Sequence, residues 1–222
     1  KYLDLVALGT IADIVPLDRV NRILVSQGLA RIRAGNVCSG IHHLIRLSGR
    51  DISRLVTTDL GFFIAPRLNA AGRLGDMSVG VNCLLSNSDD EARKYVSVLE
   101  NLNNDRRHLE IRMFDEAISL FEALENADQE RMRRGGITLY DSEWHVGVIG
   151  ILASRIKAVY NRPCIIFAPS NNGMIRGSAR SIGSIDILQV LQRVDEACPS
   201  LLKRFGGHRQ AAGLSISQCD FT

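Results

Sequence analysis

No two cysteines of this 222-residue sequence stand in a Cys-x-x-Cys pair. The five present, Cys38, Cys83, Cys164, Cys198 and Cys219, are odd in number and widely spaced. That argues against a zinc knuckle and reads as reduced thiols of a cytoplasmic protein, mostly filling core. No apolar run approaches the roughly 20 residues that a membrane span requires, and no signal-peptide pattern opens the chain. Aromatic residues make up only 5%, with a single Trp. Platforms for base stacking are therefore few, Trp144 and Tyr140 being the candidates, and phosphate contacts would carry most of any affinity for nucleic acid. Internal repeats and low-complexity segments are absent. An initial Met is absent too: Lys1 leads at once into a hydrophobic pattern, so a continuation upstream is expected.

What is present is ordinary globular material, 45% hydrophobic and 23% charged, enough for one large domain or two modest ones. The net charge of +3 is uneven. Residues 1–86 carry 10 basic and 6 acidic side chains, residues 87–132 carry 6 and 12, and residues 133–222 carry 11 and 6. An anionic ligand held by the outer blocks fits this pattern, as does the ordinary scatter of any chain cut in three.

The spacing of apolar residues gives three organisational units. In residues 1–86, the run 3–10 reads as a short buried strand or helix leading into a loop that holds Asp13. Helices are predicted over 21–33, stopped by Gly35, and over 41–47. Residues 58–63 lead into Pro66 and a Gly-rich stretch. Residues 89–131 read as one long helix capped by Ser88, with Asp89, Asp90 and Glu91 at the positive end of its dipole. Its apolar stripe comprises Ala92, Val96, Leu99, Leu102, Leu109, Met113, Leu120 and Leu124, interrupted by Arg106. Residues 133–222 alternate strands (136–140, 164–168, 174–180, 214–216) with helices (147–160, 185–196), which indicates an α/β domain. The basic junction 131–136 is the expected site of proteolytic nicking between two separate lobes.

Four clusters set polar residues among small ones. In 7–17, Asp13 stands in an apolar stretch, where a buried carboxylate must be paired, hydrogen-bonded or metal-bound; a capping Asp is the plain alternative. In 65–76, Arg67, Asn69 and Arg73 lie among Ala and Gly. Small residues let a ligand approach the backbone and arginine offers a planar fork to phosphate, unless these arginines simply pair with Asp59 or Asp76. In 144–155, His145 precedes a glycine-bearing helix start whose N–H groups favour anions; a structural His and close helix–strand packing would explain it equally. The fourth cluster joins 176–181 to 205–213. On a strand, Arg176, Ser178 and Arg180 share one face, and Gly206-Gly207 before His208 suggests a turn offering backbone amides. A solvated edge strand is the alternative.

These clusters, in this order, resemble the RecJ-type exonucleases of the DHH phosphoesterase superfamily nearly end to end. Residues 7–17 are similar to the family's fourth motif, whose Asp, here Asp13, binds a catalytic metal. Residues 66–73 resemble its arginine-rich motif. Leu102, Asn103, Arg106, Arg107 and Glu110 resemble the connector-helix signature. Residues 144–155, 176–181 and 206–213 resemble the DHH-associated domain. The first three motifs, including the Asp-His-His that names the superfamily, are missing from this sequence, as is the binding domain that usually follows. His42-His43 is preceded by Ile41 and lies downstream of Asp13, so it is read as an ordinary helix pair.

The resemblance implies an α/β fold in three parts: the C-terminal portion of a DHH catalytic domain (1–86), a connector helix (87–132) and a mixed α/β substrate-binding DHH-associated domain (133–222). It implies 5′-to-3′ hydrolysis of single-stranded DNA in repair and recombination, with two Mn2+ or Mg2+ ions. Asp13 is the metal ligand, and Arg67, Asn69 and Arg73 flank the scissile phosphate. Ser178 and Arg180 grip a terminal 5′-phosphate, and His145, Arg176, Gly206, Gly207 and His208 line the same cleft. Implied partners are single-stranded DNA with a 5′ end and, as candidates, a single-strand-binding protein and a helicase, with no membrane and a cytoplasmic location. Alone, the chain is expected to be inactive. A phosphodiesterase of the same superfamily acting on oligonucleotides or cyclic dinucleotides, and a module that only binds nucleic acid, are the alternatives.

Overall fold

The computed structural model describes residues 2–127 and 135–221. The chain divides into two compact units, residues 1–106 and 107–222.

The first unit is helical. Helix α1 (Leu3–Ala12) is followed by α2 (Arg19–Arg33), whose start is fixed by Asp18: its Oδ1 accepts from the Asn21 N–H at 2.8 Å. The two helices meet closely at Gly28, where a Cβ would stand 2.2 Å from the Leu3 carbonyl oxygen. Asp4, buried on α1, accepts from the Cys38 N–H at 3.0 Å and so ties α1 to the start of α3 (Ser39–Leu47). Ile41, Leu44 and Ile45 of α3 are fully buried with Leu60, Ile64 and Leu99 in one core. Residues 57–74, read from sequence as a lead-in to Pro66 and a Gly-rich stretch, form a helical stretch. It consists of α4 (Thr57–Asp59), a π-turn (Leu60–Ile64) and α5 (Ala65–Leu74). Pro66 is the second residue of α5, directly after the π-turn. Helix α6 (Ser78–Leu85), not anticipated, covers the core through Cys83.

Helix α7 (Asp89–Ala127) begins where predicted. Ser88 Oγ accepts from the Glu91 N–H at 3.4 Å, and Asp89 is held by the buried His43 ring at 2.7 Å. Its buried stripe runs Ala92, Val96, Leu99, Asn103, then Met113, Ala117 and Phe121. Leu120 is only half-buried and Leu124 is 41% exposed, so the predicted stripe is one position off in its second half. The buried side chains there advance in steps of four, Met113 to Ala117 to Phe121, ahead of the 3.6-residue period that would reach Leu120. The predicted helix end at Arg131 and the nicking site at 131–134 lie outside the described residues.

The second unit is α/β. Strands β1 (Ile137–Tyr140), β2 (Cys164–Pro169), β3 (Met174–Arg180), β4 (Arg204–His208) and β5 (Ala211–Ser217) form one sheet in the order β1-β2-β3-β5-β4. β1 and β2 are parallel and joined through α8 (Ile149–Tyr160); the other pairs are antiparallel. One face buries Phe167, Ile175, Ala179, Leu214 and Ile216 under Ile187 and Leu191 of α9 (Ile187–Ala197). The opposite face is covered by α8 over β2 and β3. Residues 204–208, expected to hold a diglycine turn, are strand β4, and β3 is an interior strand rather than a solvated edge.

Candidate functional site

In the first unit, Asp13 is not buried as expected: it is exposed at the C-terminal end of α1. Two bonds close the helix there, Ile14 N–H to Ile11 O and Val15 N–H to Thr10 O, with Ile14 in the left-handed region at φ 53°. This is a Schellman closure carrying a β-branched residue where glycine is usual. The turn leaves Ile14 88% exposed. The Asp13 carboxylate has no hydrogen-bond or ion-pair partner among the described residues, so the capping alternative fails. A carboxylate at the negative end of a helix dipole is unfavourable, by about 0.3–1 kcal/mol, until a cation joins it. Metal fit is a separate question. Among the described residues no three His, Cys, Asp or Glu side chains are grouped for a metal, so Asp13 can serve only as one ligand of a larger set.

Asn69 and Arg73 stand four residues apart on α5, following Phe62 and Pro66 along one face. Asn69 is exposed, Arg73 half-buried and Phe62 74% exposed. Arg67 faces elsewhere. Its Nε and Nη2 donate to the two Glu100 oxygens at 2.5 and 3.2 Å, and Nη1 donates to the Phe63 carbonyl. The pairing with Asp59 or Asp76 weighed from the sequence is not formed by Arg67. Of its five N–H donors three are used.

In the second unit, strand registers place the predicted residues on one sheet face. On β3 the face shows Arg180, Ser178 and Arg176; opposite them on β5 stand Ala211, Gly213 and Ser215; opposite those on β4 stand His208, Gly206 and Arg204. Gly207, one residue out of phase, points away. It has φ 150°, and a Cβ there would fall 2.4 Å from the Ala211 carbonyl oxygen, so its role is to let β4 approach β5. Over Gly206 a Cβ would meet nothing within 4 Å. The centre of the face is bare backbone.

Arg180 is tightly positioned. Its Nε donates to Ser154 Oγ at 3.1 Å; its Nη1 donates to Ser178 Oγ at 2.9 Å and to the Ala179 carbonyl at 2.8 Å. Burial pulls its pKa below the usual arginine value, the neighbouring Cys164 opposing. Gly150, in the first turn of α8, faces this pair: a Cβ there would lie 3.1 Å from Arg180 Nη2 and 3.4 Å from Ser178 Oγ. The glycine lets the first turn of α8 come close to the guanidinium and the hydroxyl, as close helix–strand packing requires. His145, in the turn entering α8, accepts the Gly147 N–H on Nδ1 at 3.1 Å. Its neutral form therefore carries the proton on Nε2. His208 is set in the same way by the Gln210 N–H at 3.3 Å.

Arg204 and Ser215 lay outside the clusters singled out from sequence, while Gly150 and Ser154 of α8 and Gly213 of β5 lay within them without an assigned role. Period-two spacing from Gly206 could have drawn in Arg204. Conversely, the two aromatic candidates are withdrawn. Trp144 is 3% exposed and donates from Nε1 to Glu116 at 3.0 Å. Tyr140 packs against Phe221 with ring centroids 5.3 Å apart.

Residues 134–221 match the DHHA1 domain family. Over 221 residues, all of this chain, the sequence is 52% identical to the single-stranded-DNA-specific exonuclease RecJ of Dickeya dadantii (strain 3937), covering 38% of that protein. To the Escherichia coli (strain K12) protein of the same name it is 50% identical over the same share. Among solved structures, RecJ of Thermus thermophilus in complex with Mg2+ superposes with a TM-score of 0.83 at 38% identity, over 99% of this chain and 32% of that one. Exonuclease RecJ bound to manganese gives 0.77 at 38% identity, over 98% of this chain and 51% of that one. The chain thus spans well under half the length of the curated relatives it matches.

Proposed function

Since the chain belongs to the RecJ-type family of DHH phosphoesterases and carries its DHHA1 domain at 134–221, we propose that it is the substrate-gripping part of a 5′-to-3′ exonuclease for single-stranded DNA. The observation that carries this reading is the pairing of Arg180 with Ser178 on the sheet face that also bears Arg176, Gly206 and His208. A guanidinium held in place by Ser154 sets Nη2 beside a hydroxyl, against the backbone of Gly150 in the first turn of α8. A terminal phosphate bears more charge and more open oxygens than a diester, and charge-assisted contacts of this kind are worth about 1.5–3 kcal/mol. Arg176, Gly206 and His208 extend the surface on which the terminal nucleotide lies, and His145, in the turn entering α8, is a further candidate contact.

In this reading 1–86 is the end of the catalytic domain, 87–132 the connector and 133–222 the substrate domain. Asp13 is one ligand of the metal centre, and Mg2+ or Mn2+, present in the related structures, supplies the activation of water when the full ligand set is assembled. The described residues do not form that set, so the chain by itself is expected to bind without cutting. Asn69 and Arg73 lie toward the scissile phosphate, while Arg67, held by Glu100 on another side of α5, braces that helix rather than touching the phosphate. Cytoplasmic DNA repair and recombination is the setting, with a single-strand-binding protein and a helicase as partners. No helix among the described residues is long and apolar enough to cross a membrane.

The test is paired. Fluorescence titration of the chain with a 5′-phosphorylated oligothymidylate should show binding several-fold tighter than with its 5′-hydroxyl counterpart, and incubation with Mn2+ should release no nucleotides. Absence of a preference for the phosphorylated end, or nucleotide release abolished by Asp13→Ala, would each overturn part of the reading.

A further inference from the structure

Arg176 sits four residues from Arg180 along β3, about 13 Å away at the rise of a strand. It takes no part in the Arg180–Ser178–Ser154 cluster. Its cross-strand neighbour is Ser215, and beyond Ser215 stands Arg204 on β4. Both arginines are exposed, and neither has a hydrogen-bond or ion-pair partner among the described residues. They flank a groove of about 450 Å³ whose lining includes Ser170, Arg176, Arg204, Gly206, Gly213 and Ser215, with no carboxylate and neither Ser178 nor Arg180. Two unneutralised guanidiniums rise from either side of a hydroxyl, beside a floor of two glycines. Uncompensated cations converging on an open polar floor favour an anion with several acceptor oxygens.

We propose that Arg176, Ser215 and Arg204 form a second phosphate-binding locus, separate from the Arg180–Ser178 pair. This rests on the reading of the sheet face as the strand-binding surface and divides that face into two cationic ends with bare backbone between them. Arg180 and His208 hold one end, Arg176 and Arg204 the other. The glycine floor lets sugar and base lie against the strands between the two ends. The ligand is a phosphate group, borne either by a strand already anchored at Arg180 or by a free mononucleotide.

The experiment uses the full chain with fluorescent oligothymidylates carrying a 5′-phosphate or a 5′-hydroxyl, and with thymidine monophosphate, over a series of salt concentrations. Arg204→Ala is expected to weaken both oligonucleotides about three- to tenfold, irrespective of the 5′ end. It should also reduce the slope of log affinity against log salt by about 0.7, the value for one phosphate contact on a single strand. Arg204→Lys should recover most of both. Arg180→Ala should instead act on the phosphorylated strand. If thymidine monophosphate binds the Arg180→Ala chain in a manner that Arg204→Ala removes, the locus also takes free nucleotide. If it does not, while the strands respond, the locus serves the strand alone. Unchanged affinity and unchanged salt slope with Arg204→Ala, in a chain that still responds to Arg180→Ala, would overturn the second locus and leave the proposed function standing. No binding of any strand by the unaltered chain would overturn both.

Discussion

Glu100 holds Arg67 by the side-on edge of its guanidinium, at 2.5 and 3.2 Å, while Phe63 takes a third donor from Nη1. The pair joins α5 to α7 in a place where the arginine side chain is 12% exposed and the glutamate 25%. A charged pair this far from water stabilises little as a whole, but removing one partner strands the other. Glu100→Ala should therefore destabilise the chain by about 1–3 kcal/mol in denaturant unfolding, whereas Glu100→Gln, which keeps the acceptor oxygen, should lose less. Equal, negligible effects of both would show the pair to be incidental.

Gly150→Ala separates stability from binding. Alanine is the better helix former by up to about 1 kcal/mol, so the melting temperature should hold or rise. Its methyl group, 3.1 Å from Arg180 Nη2, would shift the guanidinium off Ser178 and weaken 5′-phosphorylated strands about tenfold. A chain that melts as before and binds as before would mean that no phosphate enters there.

Asp13→Asn should stabilise the chain by about 0.3–1 kcal/mol, because it removes a negative charge from the negative end of α1. The same substitution in the longer enzyme should abolish metal-dependent hydrolysis. Calorimetric melting of the chain checks the first half; a drop in stability would show that the carboxylate has a partner which the turn at Ile14 does not reveal.

Much of the sheet face was legible from sequence because strand period two is a local rule: Arg176, Ser178 and Arg180 share a face whatever lies beside them. The long helix was legible for the same reason at period 3.6. What failed depended on pairing across the chain. Gly206-Gly207 looked like a turn because glycine breaks strands in isolation, yet β5 supplies a partner for β4, and Gly207 is needed where Ala211 comes close. Asp13 looked buried because its neighbours are apolar, but a helix end turns them outward, and Ile14 stands in solvent. Trp144 looked available until Glu116, 28 residues away, claimed its indole N–H. Arg204 and Ser215 acquire meaning only through the register that brings them to Arg176.

The central claim, that Arg180 and Ser178 grip a terminal phosphate, is tested most directly by one comparison at fixed salt: Arg180→Ala titrated against 5′-phosphorylated and 5′-hydroxyl single strands of the same sequence. The expected result is a loss of about ten- to a hundredfold for the phosphorylated strand, the worth of a charge-assisted contact, with the hydroxyl strand changed by no more than about threefold. Equal loss for both strands would contradict the claim and reduce Arg180 to a general phosphate contact or a brace for Ser154.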